Sequence, residues 1–261
     1  MFIDDSLVLD YLQNRNSDSM GEHWIFSNIE EGQHLYEKPD SALCDAIENL
    51  YRRVIGILKD FTPFNERLIS SLFPNWRSLF DTTNILLIVG CPNPYDAMVR
   101  QHDGVEYIIF DLIRFQSYVE QGDNVEDIVR RIITHECIHS CIHKDYPVPK
   151  EDYKSILKHA VFDEGFAHLL AFRENIEGVD LTVAIEKDYR RCLKKLSEAI
   201  SETNVMRQST LLEESISGPY WEKFGAISAK LFLAKNIDRL EYWYQNGIDN
   251  FMQALLREGE E

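Results

Sequence analysis

Apolar positions follow a helical period over most of the chain and take on the texture of strands in one stretch near its middle. In residues 41–60 (SALCDAIENLYRRVIGILKD), Leu43, Ala46, Ile47, Leu50, Val54 and Leu58 fall on one side of a 3.6-residue helix with Ser41 placed as its cap. A second helix is expected over about 64–80, interrupted at Pro74. Residues 84–90 (NILLIVG) and 104–112 (GVEYIIFDL) are short β-branched apolar runs, the latter opened by the turn pair Asp103-Gly104. With residues 97–101 between them, they predict a small antiparallel sheet. From Asp123 onward the helical period returns, at about 124–144, 151–174, 181–203 and 219–257.

The pattern therefore predicts an α+β, mostly α-helical protein, with the small antiparallel sheet packed on the helix over 124–144 and a helical C-terminal half. Three segments are expected: 1–80, a helical region without an assigned role; 81–146, the sheet and its helix; and 147–261, a helical subdomain. The last two would form one functional unit. No 20- to 50-residue repeat and no Ser/Gly/Pro linker breaks this order.

The chemistry concentrates in the third quarter of the chain. Five of the 8 histidines lie between His135 and His168. His135, Glu136 and His139 form H-E-x-x-H inside a predicted helix. Residues four apart stand one turn above each other, with about 6 Å between Cβ atoms, so both imidazoles reach one ion while Glu136 is turned aside toward a water. Asp123 and Glu126 are placed as a capping pair, and the stripe Val125, Ile128, Val129, Ile132, Ile133 runs into the histidine face. Catalytic zinc takes three protein ligands and keeps one position open. Glu164, in AVFDEGFAHLLAF, is the first candidate for the third, because a carboxylate within an apolar stripe needs a compensating partner. Asp163, His159 and His168 are the alternatives, and His143, two turns from His135, is too far along the same helix to join it.

H-E-x-x-H followed by Glu164-Gly165-x-Ala167 on the next helix resembles the gluzincin, thermolysin-like zinc metallopeptidases, over roughly residues 84–175. The resemblance implies one zinc ion held by His135, His139 and Glu164 between the sheet-bearing and helical parts. It implies peptide-bond hydrolysis by a zinc-activated water, with Glu136 as general base and then general acid. It also implies an oxyanion donor from the helical half, Tyr220 first and His168 second. In this family the strand at 105–112 would be an edge strand that pairs with extended substrate. Two other readings use the same residues: a non-catalytic zinc-binding or regulatory protein on such a scaffold, and a zinc hydrolase of a non-peptide amide.

Charge and composition narrow the partners. A net charge of −17, from 27 basic and 44 acidic residues, opposes sequence-independent binding of nucleic acid or anionic membrane. No apolar run approaches the roughly 20 residues of a membrane span. The acidic N-terminus lacks a secretory n-region, and the 5 scattered cysteines do not form a disulfide framework. A cytoplasmic protein with reduced, mostly core thiols and a peptide or protein substrate is expected. Oligomeric state is not legible.

Overall fold

The computed structural model describes residues 1–14, 18–27, 36–91 and 97–259. The chain is mostly helical with one small sheet. It forms two compact units, Met1–Thr62 with Arg77–Glu136 and Pro63–Trp76 with Cys137–Glu261. No helix among the described residues is long and apolar enough to cross a membrane.

The first unit opens with strand β1 (Phe2–Asp4) and helix α1 (Ser6–Asn14), followed by α2 (Cys44–Lys59). Helix α2 buries Ile47, Leu50, Val54 and Leu58 as its period requires. A 3-10 turn at Ser41–Leu43 precedes it, and Asp40, not Ser41, supplies the cap by accepting from the Ala42 N–H at 2.9 Å. The second unit then takes helix α3 (Glu66–Leu72), and α4 (Trp76–Asp81) follows, the break between them falling at Phe73–Asn75 around the expected Pro74.

Strands β2 (Asn84–Ile88), β3 (Ala97–His102) and β4 (Val105–Asp111) join β1 in a four-stranded sheet of order β1-β2-β4-β3. The sheet is mixed. β1 and β2 pair in parallel, as do β2 and β4, and only β3 with β4 is antiparallel as the sequence suggested. The Asp103-Gly104 turn, both residues at positive φ, makes that hairpin. Adjacent runs look like a meander from sequence, but the stretch between 84–88 and 105–111 lets β4 return beside β2 in the same direction, with β3 outside it. Strand β4 is therefore interior, hydrogen-bonded on both sides, and is not the open edge expected for substrate. Its last residue, Asp111, is buried and accepts from Cys91 N at 2.6 Å, Ile113 N at 2.8 Å and Arg114 N at 3.2 Å, capping α5 (Leu112–Glu120), a helix the hydrophobic pattern did not announce.

Helix α6 (Val125–Asp145) runs from the first unit into the second. Asn124, rather than the Asp123/Glu126 pair, caps it, accepting from Glu126 N at 2.8 Å. Val125, Ile128, Val129, Ile133, Cys137, Ile138, Cys141 and Ile142 line its buried side. All five cysteines are buried and unbridged.

In the second unit, α7 (Tyr153–Leu170) opens on Asp152, which accepts from Ser155 N at 2.8 Å. A helical run follows through α8 (Thr182–Ala184), a π turn at Ile185–Tyr189 and α9 (Arg190–Ser201), and then α10 (Val205–Ile216), another unannounced helix. The expected long helix at 219–257 is three: α11 (Phe224–Lys235), α12 (Leu240–Gln245) and α13 (Gly247–Arg257). It breaks after Asn236 and at Gly247, whose φ of 78° is open to glycine at little cost. Helices α7 and α11 are buried on nearly every side and pack on each other as the centre of this unit. Their backbones approach at Gly165, where a Cβ would lie 2.4 Å from the Ala229 Cβ.

Asn65 ties the segment Pro63–Trp76 to the C-terminal end of α7. It sits in the left-handed region at φ 55°. Its Nδ2 donates to Leu170 O and Arg173 O, each at 2.7 Å, and its Oδ1 accepts from Ile176 N at 2.9 Å. One short side chain thus satisfies three backbone groups left over where the helix ends.

Candidate metal centre

Helices α6 and α7 are consecutive, and their facing turns bring together most of the histidines that the sequence concentrates there. His139 is the pivot. Its Nδ1 is 2.8 Å from Asp163 Oδ1, and its Nε2 is 3.7 Å from Glu164 Oε1. Asp163 is acceptor-only when ionised, so Nδ1–H of His139 donates to it, and Nε2 is the ring nitrogen that faces a second carboxylate. His135 stands one turn earlier on α6, and ligand atoms of His135, His139 and Glu164 all lie within 4.8 Å of one another. Zinc ligands at 2.0–2.2 Å in a tetrahedron sit about 3.4 Å apart, so the His139–Glu164 separation needs only a few tenths of an ångström to close. Two imidazoles and a carboxylate fit the donor preferences of that ion, and the buried His/Asp/Glu groups are close enough for a metal.

A second triplet, His139, His143 and Asp163, is equally compact. Its contacts are of another kind. Asp163 Oδ2 meets His143 Nε2 at 2.7 Å while Oδ1 meets His139, and atoms that close are hydrogen-bonded, with no room for an ion between them. Asp163 is thus a buried carboxylate accepting from two imidazoles. Burial pushes its carboxyl up, but the charges and hydrogen bonds of His139 and His143 outweigh that and hold it at about 2. A carboxylate placed this way orients the imidazole and raises the basicity of its other nitrogen.

Glu164 has its own support. His168, one turn on, places Nε2 3.3 Å from Glu164 Oε2. Burial raises the Glu164 carboxyl, yet the His168 hydrogen bond and the charges of His139 and His168 bring it below the ordinary glutamate value. Burial lowers His168 itself, more than Glu164 raises it. His159 lies away from the triplet, its Nε2 at 2.8 Å from Tyr146 O.

The remaining residues singled out by the sequence are placed as follows. Glu136 is half-buried on α6 beside His135. Tyr220 is half-buried in a 3-10 turn (Tyr220–Glu222) before α11, and its ring meets that of His168 edge-on, 5.2 Å between centroids. Set beside known proteins, the chain matches no protein family, no curated protein and no solved structure. The case for this centre is carried by its own residues.

Two contributors escaped the sequence reading. Asp163 figured there only as a substitute ligand, and its signal was the pair of histidines at i and i+4 on the preceding helix, which one carboxylate can bridge. Lys230, fully buried in α11, is the other, and its signal is a lone lysine inside the apolar run GAISAKLFLA.

Proposed function

We propose that the chain is a zinc-dependent peptidase whose ion is held by His135, His139 and Glu164. The observation that carries this reading is His139: one nitrogen bonded to Asp163, the other facing Glu164, with His135 a turn away. A half-buried imidazole nitrogen and a half-buried carboxylate oxygen that face each other, with a second imidazole within reach, are a donor set that one cation can bridge. The H-E-x-x-H helix followed by Glu164, Gly165 and Ala167 supports the gluzincin resemblance.

A zinc ion bound there polarises a carbonyl and makes water a nucleophile at neutral pH. The protein's own groups do the rest. Asp163 accepts from Nδ1–H of His139 and so orients the ring with Nε2 toward the ion. Glu136 accepts a proton from the attacking water on its carboxylate and returns it to the nitrogen of the leaving amine. Tyr220 Oη is the group of the helical half suited to donate to the developing oxyanion, while His168, its Nε2 turned to Glu164, supports that carboxylate instead. The acidic chain favours basic peptides by long-range steering.

Metal content and cleavage of a mixed peptide library, measured on the same preparations, test the assignment. Wild type and Glu136→Gln are expected to carry about one zinc each, Glu164→Ala to carry none, and only wild type to cleave. A zinc-loaded protein that still holds no zinc refutes the metal centre. Zinc without cleavage refutes the peptidase and leaves a binding protein or a hydrolase of other amides.

A further inference from the structure

Lys230 is fully buried in the middle of α11. An ammonium brings three N–H donors with it and is costly to desolvate without a partner. Here no carboxylate provides one among the described residues. Lys230 Nζ donates a hydrogen bond of 2.7 Å to Tyr220 Oη and lies 3.1 Å from the ring centroid of Phe172, with Tyr220 and Trp221 at 5.0 and 5.1 Å. Three aromatic faces and one phenol oxygen hold the charge. A methionine would fill the same space without the desolvation cost, so packing does not account for a lysine.

The phenol is what the lysine changes. Its oxygen accepts from a cationic donor, which commits that lone pair and polarises the O–H so that it donates more strongly. Tyr220 is also the residue whose ring abuts His168, and His168 Nε2 lies 3.3 Å from Glu164 Oε2. Lys230, Tyr220, His168 and Glu164 form one line of contacts from the core of the second unit to the candidate metal centre.

We propose that Lys230 is a positioning residue for Tyr220, fixing the phenol oxygen so that its O–H is presented to the substrate oxyanion. The role rests on the peptidase reading of the same centre. Burial, and after it the Arg173 guanidinium, draw the Lys230 ammonium down to about 7, in keeping with a charge that has few compensating partners.

The experiment combines kinetics with a readout that does not need turnover. In zinc-loaded protein, Lys230→Met is expected to lower kcat by about 10- to 100-fold with KM within about threefold and zinc content unchanged. In the Tyr220→Phe background, Lys230→Met should have no further effect on kcat. Separately, the side-chain ¹⁵N resonance of Lys230, assigned by its loss in Lys230→Met, should show its protonation midpoint moving down from about 7 in Tyr220→Phe. Full kcat in Lys230→Met alongside a crippled Tyr220→Phe, or an unmoved midpoint, overturns the positioning role and leaves the peptidase standing. Absence of cleavage by zinc-loaded wild type overturns the peptidase and this role together, before any substitution is made.

Discussion

Gly165 is the residue at which two opposing effects on stability can be separated cleanly. It lies inside α7, next to Glu164, at a backbone conformation alanine adopts readily, so helix propensity alone makes Gly165→Ala stabilising by about 1 kcal/mol. The structure says otherwise. The new Cβ would stand 2.4 Å from Ala229 Cβ, 3.3 Å from Ala229 C and 3.4 Å from Ala229 Cα, where methyl groups need about 3.5–4.0 Å. Neither partner has a χ angle with which to move away, so the helices must separate by more than about 1 Å in a close-packed interior. Overpacking of this kind costs about 1–3 kcal/mol, and the rigid contact belongs at the upper end, leaving a net loss of about 1–2 kcal/mol. Ala229→Gly alone loses about 1 kcal/mol of propensity. The double variant exchanges the two residues across the contact and should return close to wild type, a coupling of about 2–3 kcal/mol. Urea unfolding followed by circular dichroism measures all four proteins. A Gly165→Ala protein more stable than wild type would show that α7 and α11 do not meet at this point, and the packing argument with it would be wrong.

Three further outcomes follow from the same geometry. Asp163→Asn removes the carboxylate that orients His139, and zinc affinity measured by competition with a chromophoric chelator should fall about 10- to 100-fold; unchanged affinity would mean that Asp163 does not serve the metal. Lys230→Met should alter the pH dependence of stability with a definite sign. The folded ammonium titrates at about 7 against 10.5 in the free side chain, so between these values the unfolded chain holds a proton the folded one has lost, and wild-type stability rises with pH over that window. Below pH 7 the full cost, on the order of 5 kcal/mol, is present, and calorimetry near pH 6 should find Lys230→Met the more stable protein; parallel stability curves would refute the burial of a charge. Asn65→Ala strands two carbonyls and one N–H and puts alanine in the left-handed region, with an expected loss of about 3–4 kcal/mol in denaturant titration.

What could be read from the residues was what depends on local periodicity. Helix α6 and the face carrying His135 and His139 follow from Val125, Ile128, Val129 and Ile133, and Glu164 follows from its place in the stripe of α7. What could not be read depends on partners remote in sequence. Nothing in Phe2–Asp4 announces that it joins β2 some eighty residues later, and without that strand the runs around it look like an antiparallel meander with β4 at its edge. Helix α5 was missed because its start is capped by Asp111, a residue that reads as the end of a strand and serves as both. Helix α10 buries only Leu211 and Ser215, too few for a stripe, although its Asn204 cap is an ordinary start signal. The single run expected over 219–257 and the three helices found there differ in how Asn236 and Gly247 are read, and a tolerated helical glycine cannot be told from a break without knowing what packs beneath it.

The spacing of the candidate ligands along the chain bears on how the protein reaches its native state. His135, His139 and Glu164 are separated by fewer than thirty positions and lie on adjacent helices joined by a short connection, whereas the sheet requires residue 2 to find residue 84. Closing a chain loop costs more the longer it is, so the helical pair can meet while β1 is still searching for β2. An ion captured at that stage would bind by folding the segment that holds it, since a site absent from the unfolded chain draws its affinity and its folding free energy from the same source. Such an ion would then nucleate the helical pair that holds it as well as serve it.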